Sequence, residues 1–335
     1  MTFLSEKPEI TFSQPMMGLV IANTKLSTVP GLSAAGATPE STLTTPGLDA
    51  EMIVQGSITS CDVKLSSPDG LASPGTITRA MVELTGVTPV IISAGLAEHP
   101  AIPCIELYGD CGEDPRNGPA VPDAQGIFER GVTLGKSLSG YSDLLVLGES
   151  VPGGTTSALC VLRALGYSAQ VSGSFAVNPV SLKETIAGEV LERLSAEGIT
   201  DPLAILRETG DPMMPAVAGI VKGYEGTIVL AGGTQLLAVN AFLKAIGEEP
   251  APIVTTAYVA NDASASFKTT AAEIGCPVSW VDPDFGTIGH KGLARYPLGD
   301  VKEGAGAGGA MWLAAMMGHS LEEIRSAIID YLHRA

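Results

Sequence analysis

The segments LLVLGESVPGGTTSALCVLRALG (144–166) and TIVLAGGTQLLAVNAFLKAIG (227–247) decide the fold. Each contains a short apolar run, then a Gly-Gly-Thr turn, then a run with the length and composition of a helix. An apolar run that ends in small residues and leads into a helix is typical of a strand buried on both faces of a parallel sheet. The repeated strand–turn–helix unit therefore predicts one α/β fold with two points at which a ligand could be anchored.

Other runs along the chain extend this pattern. Predicted strands lie at 18–22, 89–92, 143–147, 227–230, 252–255 and 278–281. Helical patterns lie at 181–224, 235–246, 264–274, 306–317 and 320–332, the last opening with a Ser320–Glu323 capping box. Because strands alternate with helices, we expect a three-layer α/β fold: a mostly parallel, Rossmann-like sheet flanked by helices, with a smaller helical part from N- and C-terminal segments.

We divide the chain into three parts. Residues 1–80 are an irregular N-terminal segment, 81–300 an α/β nucleotide-binding core, and 301–335 a pair of C-terminal helices. A long ordered loop such as 23–80 is more often a ligand-contacting surface, with disorder as the alternative. Asp201-Pro202 and Asp211-Pro212 break the helical stretch 181–224, since Asp caps a helix and Pro suits its first position.

The composition excludes several classes of partner and site. The 19 Lys and Arg residues against 36 Asp and Glu residues give a formal charge of −17, so nucleic acids and anionic membranes are not expected partners. No stretch has the ~20 apolar residues of a membrane span, and Glu6, Lys7 and Glu9 stand where a signal peptide is apolar. We expect a cytoplasmic protein. Five cysteines without a C-x-x-C pair and four scattered histidines predict buried free thiols and no metal.

Glycine pairs followed by threonine at a helix start are candidate phosphate sites. They expose backbone N–H groups and the positive end of the helix dipole to an anion. The alternative is that the threonines are only helix caps. A P-loop enzyme is disfavoured because the lysine of G-x-x-x-x-G-K-[ST] is absent. The turn residues are Gly153, Gly154, Thr155 and Thr156 in the first segment and Gly232, Gly233 and Thr234 in the second.

Two glutamates stand beside glycine turns. Glu149 follows a buried strand, where an α/β sheet presents its ligand crevice, and Glu303 precedes Gly304 and Gly306, which leave its carboxylate unshielded. Either suits a general base if apolar surroundings raise its pKa, and the alternative is a solvated surface carboxylate. Gly304, Gly306 and Gly309 also match G-x-G-x-x-G, but no clear strand precedes them, so a dinucleotide fingerprint is disfavoured.

Basic residues cluster after the segment VDPDFGTIG (281–289). The segment loosely matches the pyrophosphate-sugar loop of diphosphate-type phosphoribosyltransferases, although an Asp-Pro-Asp turn explains it equally. His290, Lys291 and Arg295 form the densest basic cluster in this acidic chain. Because an anionic substrate is held where the local charge is positive, His290 and Lys291 are further candidates for phosphate binding.

Three of these segments together resemble the nicotinate-nucleotide:dimethylbenzimidazole phosphoribosyltransferase family, in a divergent branch of the kind found in archaea and cyanobacteria. The family's G-E-x-G-x-G-N-T-T turn resembles 148–156, with Gly154 where Asn is usual. Its R-L-G-E-G-[ST]-G-A segment resembles 300–307, with Asp300 where Arg is frequent, and its internal glycine turn resembles 230–233. The likeness covers 143–318, is weaker over 31–52, and lacks the family's N-terminal P-P-G-S-L-G pattern.

The resemblance implies a pentosyltransferase that moves the phosphoribosyl group of nicotinate mononucleotide to a lower-ligand base such as 5,6-dimethylbenzimidazole. The products are an α-riboside 5′-phosphate and nicotinate, in cobamide (vitamin B12) biosynthesis. Glu303 would be the general base, and Glu149 would stabilise the ribose cation or hold a ribose hydroxyl. The glycine turns, with Lys291 or Lys302, would hold the phosphate. The reaction needs no cofactor and no magnesium, and the family forms homodimers.

The resemblance also assigns part of the acceptor-base pocket to segment 1–80. The candidate contacts for the base are Ser33, within this segment, and Asp262, in the core. Another benzimidazole, adenine or a phenolic ring are alternative acceptors. Two other functions stay open: a catalytically inactive relative that binds the nucleotide, and an enzyme acting on another phosphorylated sugar or nucleotide. Binding without nicotinate release would indicate the first, and a requirement for ATP or Mg²⁺ would indicate the second.

Overall fold

The computed structural model describes residues 3–62, 70–173, 175 and 177–334. In this part of the chain the strands form one sheet in the order β3-β2-β1-β4-β5-β6-β7, and every neighbouring pair is parallel. The expected α/β fold with a parallel sheet is confirmed. The strands are β1 (Pro15–Ala22), β2 (Pro89–Gly95), β3 (Ile105–Glu106), β4 (Leu144–Ser150), β5 (Thr227–Ala231), β6 (Ile253–Thr256) and β7 (Val278–Val281).

Helices cover both faces of the sheet. They are α1 (Thr45–Gln55), α2 (Pro74–Thr85), α3 (Ala124–Leu138), α4 (Gly154–Ala164), α5 (Val180–Glu197), α6 (Pro202–Thr209), α7 (Met213–Gly223), α8 (Thr234–Ala245), α9 (Ala257–Ala260), α10 (Phe267–Ile274), α11 (Ala307–Met316) and α12 (Leu321–Arg334). One face packs on α3 to α8 and α10, and the other packs on α1, α2, α11 and α12. In β4, Leu145 and Leu147 face the first layer while Leu144 and Val146 face the second. Burial on both faces explains why the strands are continuous apolar runs.

Several elements escape prediction from the sequence, namely β3, α1, α2, α3 and α9. β3 is a two-residue edge strand whose Ile105 is exposed, so no apolar run marks it. α1 lies within segment 1–80, and its buried Asp49 and Glu51 interrupt the apolar pattern by which a helix is recognised. The same segment supplies β1, which is paired on both sides with β2 and β4. Residues 63–69 of the segment lie outside the described residues.

Local signals set several helix ends as predicted. The stretch 181–224 consists of α5, α6 and α7, with a break at each Asp-Pro pair. Asp201 caps α6 by accepting the N–H of Ala204 at 2.9 Å. The Glu323 carboxylate accepts the N–H of Ser320 at 2.7 Å, and the Ser320 hydroxyl accepts the N–H of Glu323 at 3.2 Å. The predicted capping box at the start of α12 is therefore confirmed.

The cysteines differ from expectation. All five are free, and Cys160 and Cys276 are buried. Cys61 is exposed while Cys104 and Cys111 are half-buried, so the prediction that all five are buried is wrong. The described residues hold no group of three His, Cys, Asp or Glu side chains that could bind a metal ion. Within the same residues, no helix combines the length and the apolarity needed to cross a membrane.

The order of the strands locates the ligand crevice. From the centre of the sheet, β1 is followed outward by β2 and β3, whereas its neighbour β4 is followed by β5, β6 and β7 on the other side. Successive strands are therefore added to one side of β1 first and, from β4 onward, to its other side, so the strand order reverses between β1 and β4. In open α/β sheets, ligands bind beyond the carboxyl ends of the strands at such a switch point. The residues that follow β4 and its neighbours are thus the first place to seek a site.

Candidate functional site

The segment 303–308, which leads into α11, lies directly against the carboxyl ends of β4 and β6. A Cβ at Gly148 of β4 would be 2.8 Å from the Gly306 Cα, and a Cβ at Gly308 would be 2.7 Å from the Thr255 carbonyl carbon of β6. Glycine is needed at these positions because a helix start packs here on strand backbone. This packing brings Glu303 to the edge of the sheet where the crevice is expected.

Glu303 is partly buried, and backbone N–H groups hold its carboxylate. The N–H of Gly308 faces both oxygens at 3.0 and 3.2 Å, and the N–H of Gly304 donates at 3.1 Å. Burial raises the pKa of Glu303 to about 7, and these N–H groups at the start of α11 oppose the rise. A carboxyl group with a pKa near neutrality can take and return a proton at physiological pH.

The backbone beside Glu303 has an unusual conformation. Gly304, Ala305 and Gly306 have φ angles of 155°, 48° and 72°, in a region that residues other than glycine rarely adopt. The Thr78 hydroxyl of α2 donates to the Ala305 carbonyl at 2.7 Å and so ties this turn to the neighbouring helix. Backbone strain of this kind persists where surrounding contacts fix it, often at functional sites. The turn therefore holds the Glu303 carboxylate in one orientation.

Glu149 is the second glutamate at this edge and is 4% exposed. Burial raises its pKa to about 8, and the negative charges of Asp211 and then Glu303 add to the rise. The N–H of Val151 and the side chain of Gln235 oppose it. Burial and the neighbouring negative charges therefore favour the neutral form of Glu149 in the free protein. Glu149 and Glu303 lie close enough for the charge of one to affect the protonation of the other.

The two Gly-Gly-Thr turns begin α4 and α8. The N-cap residue of each helix is a glycine, and neither helix has a side-chain cap, so the alternative that the threonines are helix caps does not hold. The Thr155 hydroxyl instead accepts a hydrogen bond from Lys183 Nζ at 3.1 Å. The Thr234 hydroxyl accepts the N–H of Ser172 at 3.4 Å. The first turn therefore contacts α5, and the second turn contacts the loop at 172–173 that precedes α5.

Two lysine ammonium groups converge beside the first turn. Lys183 of α5 is 2% exposed and donates to the Ser172 carbonyl at 2.8 Å. Lys302 is 8% exposed, donates to the Gly173 carbonyl at 2.7 Å and pairs with Asp262 at 3.2 Å. Burial lowers the pKa of Lys183 to about 8, and the charge of Lys302 adds to this while Asp262 opposes it. We call this group, with Thr155, the cationic pocket; its two cations against one carboxylate suit an anion.

Asp262 and Ser33, the two candidate contacts for the acceptor base, have different hydrogen-bond partners. Asp262 belongs to the cationic pocket, where the hydroxyls of Ser172 and Ser264 donate to its carboxylate. Although burial opposes them, these hydrogen bonds and Lys302 hold the pKa of Asp262 below its ordinary value. Ser33 is half-buried in the loop before α1, and its hydroxyl accepts the N–H of Ala35 at 3.3 Å.

The basic cluster after β7 has its own local partners. His290 Nδ1 accepts the N–H of Leu293 at 3.3 Å, and burial lowers the pKa of His290. Lys291 is exposed. Arg295 pairs with Asp300 at 2.8 Å, which neutralises the acid that stands at the position of the family's arginine. Among the described residues, no hydrogen bond or ion pair joins His290 or Lys291 to either Gly-Gly-Thr turn.

Three residues of the site belong to none of the sequence motifs. Lys183 stands on the buried stripe of α5, ahead of Ile186 and Ala187, and a lysine within an apolar stripe is the signal that could have revealed it. Asp211 precedes a proline, a pattern that predicts only a helix cap, yet it is fully buried. Gln235 follows the second turn, and nothing in the sequence singles it out.

Comparisons with known proteins give both a family and a fold. No family model matches the chain. The UPF0284 protein of Methanosarcina mazei is 44% identical over 338 residues, covering 97% of this chain and 95% of that protein. The UPF0284 protein of Thermococcus gammatolerans is 44% identical over 322 residues, covering 94% of this chain and 97% of that protein. These names specify no activity.

Solved structures agree with the resemblance seen in the sequence. Nicotinate-nucleotide-dimethylbenzimidazole phosphoribosyltransferase from Thermus thermophilus superposes with a TM-score of 0.58 at 17% identity, covering 96% of this chain and 83% of that chain. A second structure, CobT from the same organism, gives a TM-score of 0.59 at 18% identity, with coverage of 96% and 84%. At this identity the likeness establishes the fold. The chain therefore belongs to the UPF0284 family and has the fold of the nicotinate-nucleotide:dimethylbenzimidazole phosphoribosyltransferases.

Proposed function

We infer that this protein transfers the phosphoribosyl group of nicotinate mononucleotide to an aromatic base, as a glycosyltransferase of cobamide synthesis. The observation that carries the proposal is the Glu303 carboxyl, whose pKa is about 7 and which lies at the same sheet edge as the cationic pocket. A poised general base and an anchor for the sugar phosphate are what such a transfer needs. The sequence motifs and the shared fold support the substrates proposed here.

The cationic pocket would hold the 5′-phosphate. Lys183 and Lys302 offer ammonium donors, and the start of α4 adds the positive end of its dipole. Hydrogen bonds between ammonium and phosphate are charge-assisted and therefore strong in a buried site. Asp262 pairs with Lys302 and keeps it in place. The glycines of the two turns and of the segment after Glu303 would let the ligand approach the backbone closely; they are Gly153, Gly154, Gly232, Gly233, Gly304 and Gly306.

The chemical step follows from the position of Glu303. Its carboxylate removes the proton from one ring nitrogen of the acceptor base, and the other ring nitrogen forms a bond to C1 of the ribose. The bond between C1 and the nicotinate nitrogen breaks, and its electron pair neutralises the cationic ring. Attack from the face opposite nicotinate converts the β-nucleotide to an α-riboside 5′-phosphate. The proton remains on Glu303 until solvent removes it.

Glu149 would act on the ribose during this step. In the free protein, burial and the charges of Asp211 and Glu303 raise its pKa and favour its neutral form. A nicotinate nucleotide carries a positive ring nitrogen, and the transition state carries positive charge on the ribose. Positive charge near a carboxyl group favours its ionised form. The substrate itself therefore converts Glu149 to the carboxylate that stabilises the developing cation.

The acceptor base would lie on the side of Glu303 that faces the N-terminal segment. Tyr296 is fully buried there, and the negative charges of Glu303 and Asp49 both act on its hydroxyl. Ser33 belongs to the same N-terminal segment. Dimethylbenzimidazole, another benzimidazole, adenine and a phenolic ring are the acceptors to compare. The homodimer implied by the resemblance is part of the proposal and is tested by sedimentation.

The test is incubation of the protein with nicotinate mononucleotide and each base, with nicotinate and the riboside phosphate identified by mass. We expect both products in equal amounts with at least one base, without ATP and without Mg²⁺. Binding of the nucleotide without release of nicotinate would support the inactive, nucleotide-binding alternative. A requirement for ATP or Mg²⁺ would support the alternative of another phosphorylated substrate.

A further inference from the structure

A second polar cluster lies behind the first Gly-Gly-Thr turn. Its members are Glu149, Asp211 and Gln235, which are 4%, 0% and 8% exposed. Glu149 Oε2, both carboxylate oxygens of Asp211 and Gln235 Oε1 are buried and have no hydrogen-bond partner among the described residues. All four atoms are acceptors when the acids are ionised. Leaving buried acceptors unpaired is costly, so in its ionised form the cluster needs a group that carries donors.

The cluster is continuous, and Gly154 marks its centre. A Cβ at Gly154 would lie 1.7 Å from Gln235 Oε1 and 3.3 Å from an Asp211 carboxylate oxygen. Gln235 Oε1 therefore occupies the position that a side chain on residue 154 would need, and the Asp211 carboxylate lies beside it. The charge of Asp211 raises the pKa of Glu149, and Gln235 opposes that rise, so the three side chains are in electrostatic contact. We call them the acceptor cluster.

Charge decides which group fits the acceptor cluster. The described ion pairs include no Lys or Arg partner for Glu149 or Asp211, so a phosphate would be repelled here. The N–H groups of Met213 and Met214 and the Ser157 hydroxyl face Asp211 and oppose the rise of its pKa, which burial brings to about 7. None of them makes a hydrogen bond of ordinary geometry to it. The fitting group is a neutral donor, such as a hydroxyl.

The acceptor cluster and the cationic pocket lie on two sides of one turn. Gly154 faces Asp211 and Gln235, while the next residue, Thr155, contacts Lys183. Consecutive Cα atoms are about 3.8 Å apart. Two sites that open from consecutive residues are close enough for one pentose 5-phosphate to place its phosphate in the first and its ring hydroxyls in the second.

We propose that Asp211 and Gln235, with Glu149, bind the 2- and 3-hydroxyls of the ribosyl group whose phosphate occupies the cationic pocket. The identification of that group as phosphoribosyl rests on the proposed function. Each hydroxyl gives one donor to acceptors that are otherwise buried without a partner. The acceptor cluster thereby selects ribose over 2-deoxyribose, because removal of a hydroxyl restores an unpaired acceptor.

The test compares the binding of ribose 5-phosphate and 2-deoxyribose 5-phosphate by calorimetry. For the wild-type protein we expect ribose 5-phosphate to bind at least about 10-fold more tightly, as the loss of one hydrogen bond to a buried acceptor implies. Asp211→Asn and Gln235→Leu should each lower this ratio toward 1. Asp201→Asn is the matched control, because Asp201 also precedes a proline at a helix start but caps α6 through Ala204, and it should keep the ratio. Circular dichroism checks that each variant is folded.

Two outcomes would overturn the proposal. One is a wild-type protein that binds ribose 5-phosphate and 2-deoxyribose 5-phosphate equally well. The other is an unchanged affinity ratio in both folded variants, which would mean that a protonated Asp211 donates a hydrogen bond to Gln235 Oε1 and that neither binds the ligand. Failure of the proposed function has a different signature. In that case the ribose preference depends on Asp211 and Gln235 as expected, but no acceptor base releases nicotinate from nicotinate mononucleotide.

Discussion

Replacement of Lys183 by methionine separates a binding role from a structural one. Lys183 is 2% exposed, and its ammonium contacts Thr155 Oγ1 at 3.1 Å and the Ser172 carbonyl at 2.8 Å. Methionine has a similar length and no charge. We expect Lys183→Met to make the anion-free protein slightly more stable and to weaken the binding of nicotinate mononucleotide.

The size of the stability change follows from the pKa of Lys183. The folded protein lowers this pKa from 10.5 to about 8, which corresponds to roughly 3 kcal/mol of unfolding free energy lost at pH 7. Because the pKa is lowered on folding, the penalty is fully present below pH 8 and disappears as the pH approaches 10.5. The variant loses two hydrogen bonds, each worth about 1 kcal/mol. A net gain of about 1 kcal/mol remains.

The assay is urea unfolding at pH 7 with and without inorganic phosphate, together with the Kd of nicotinate mononucleotide. Phosphate should stabilise the wild-type protein but not Lys183→Met, and the Kd should rise about 10-fold or more, as expected for a charged hydrogen bond. Lys136→Ala is the control, because Lys136 is exposed on α3, and its Kd should stay within about twofold of the wild-type value. A Lys183→Met protein that is less stable without phosphate and binds the nucleotide normally would refute the phosphate role.

Two further changes probe the glutamates. In Gly308→Ala, the new Cβ would lie 2.5 Å from Glu303 Oε2 and would displace that carboxylate. We therefore expect kcat to fall at least about 10-fold, with little change in the Kd of the nucleotide. Gly188→Ala, whose Cβ would lie in open space on α5, is the control and should leave both kcat and Kd unchanged. Equal kcat values in the two variants would contradict this. The pKa of Glu149 rises from 4.5 to about 8 on folding, so its contribution to stability is fully present below pH 4.5 and is lost as the pH rises from there through about 8. Ionisation costs roughly 5 kcal/mol, and in urea unfolding Glu149→Gln should be more stable than the wild-type protein at pH 9 but not at pH 5. The same difference at both pH values would contradict it.

The main parts of the sheet are readable from the sequence because its strands are buried on both faces. Leu144 to Leu147 form an uninterrupted apolar run, since each residue faces one of two cores. The glycine motifs are readable for a related reason, because Gly148 and Gly306 meet with no room for a side chain. A run of apolar residues and a glycine required at a close contact can each be recognised from a few neighbouring residues of the sequence. β3, with only two residues at the sheet edge, has neither.

The cationic pocket and the acceptor cluster depend on contacts that no local pattern encodes. Lys183 reaches Thr155 from a helix that begins after the loop at 172–173, and Lys302 meets Asp262 across 40 positions of chain. Asp211 before Pro212 has the same local sequence as Asp201 before Pro202, yet the Asp211 side chain is fully buried whereas Asp201 is exposed and caps α6. The difference lies in packing against α4 and α8, which sequence spacing does not show.

The central claim is that Glu303 takes the proton from the acceptor base. The most direct measurement is the rate of nicotinate release in a single turnover, as a function of pH, for the wild-type protein and for Glu303→Gln. The account predicts that the wild-type rate falls as the pH drops below about 7, where Glu303 becomes protonated. It also predicts that Glu303→Gln is about 10² to 10⁴ times slower, with no such pH dependence. A glutamine variant that releases nicotinate at the wild-type rate would contradict the account.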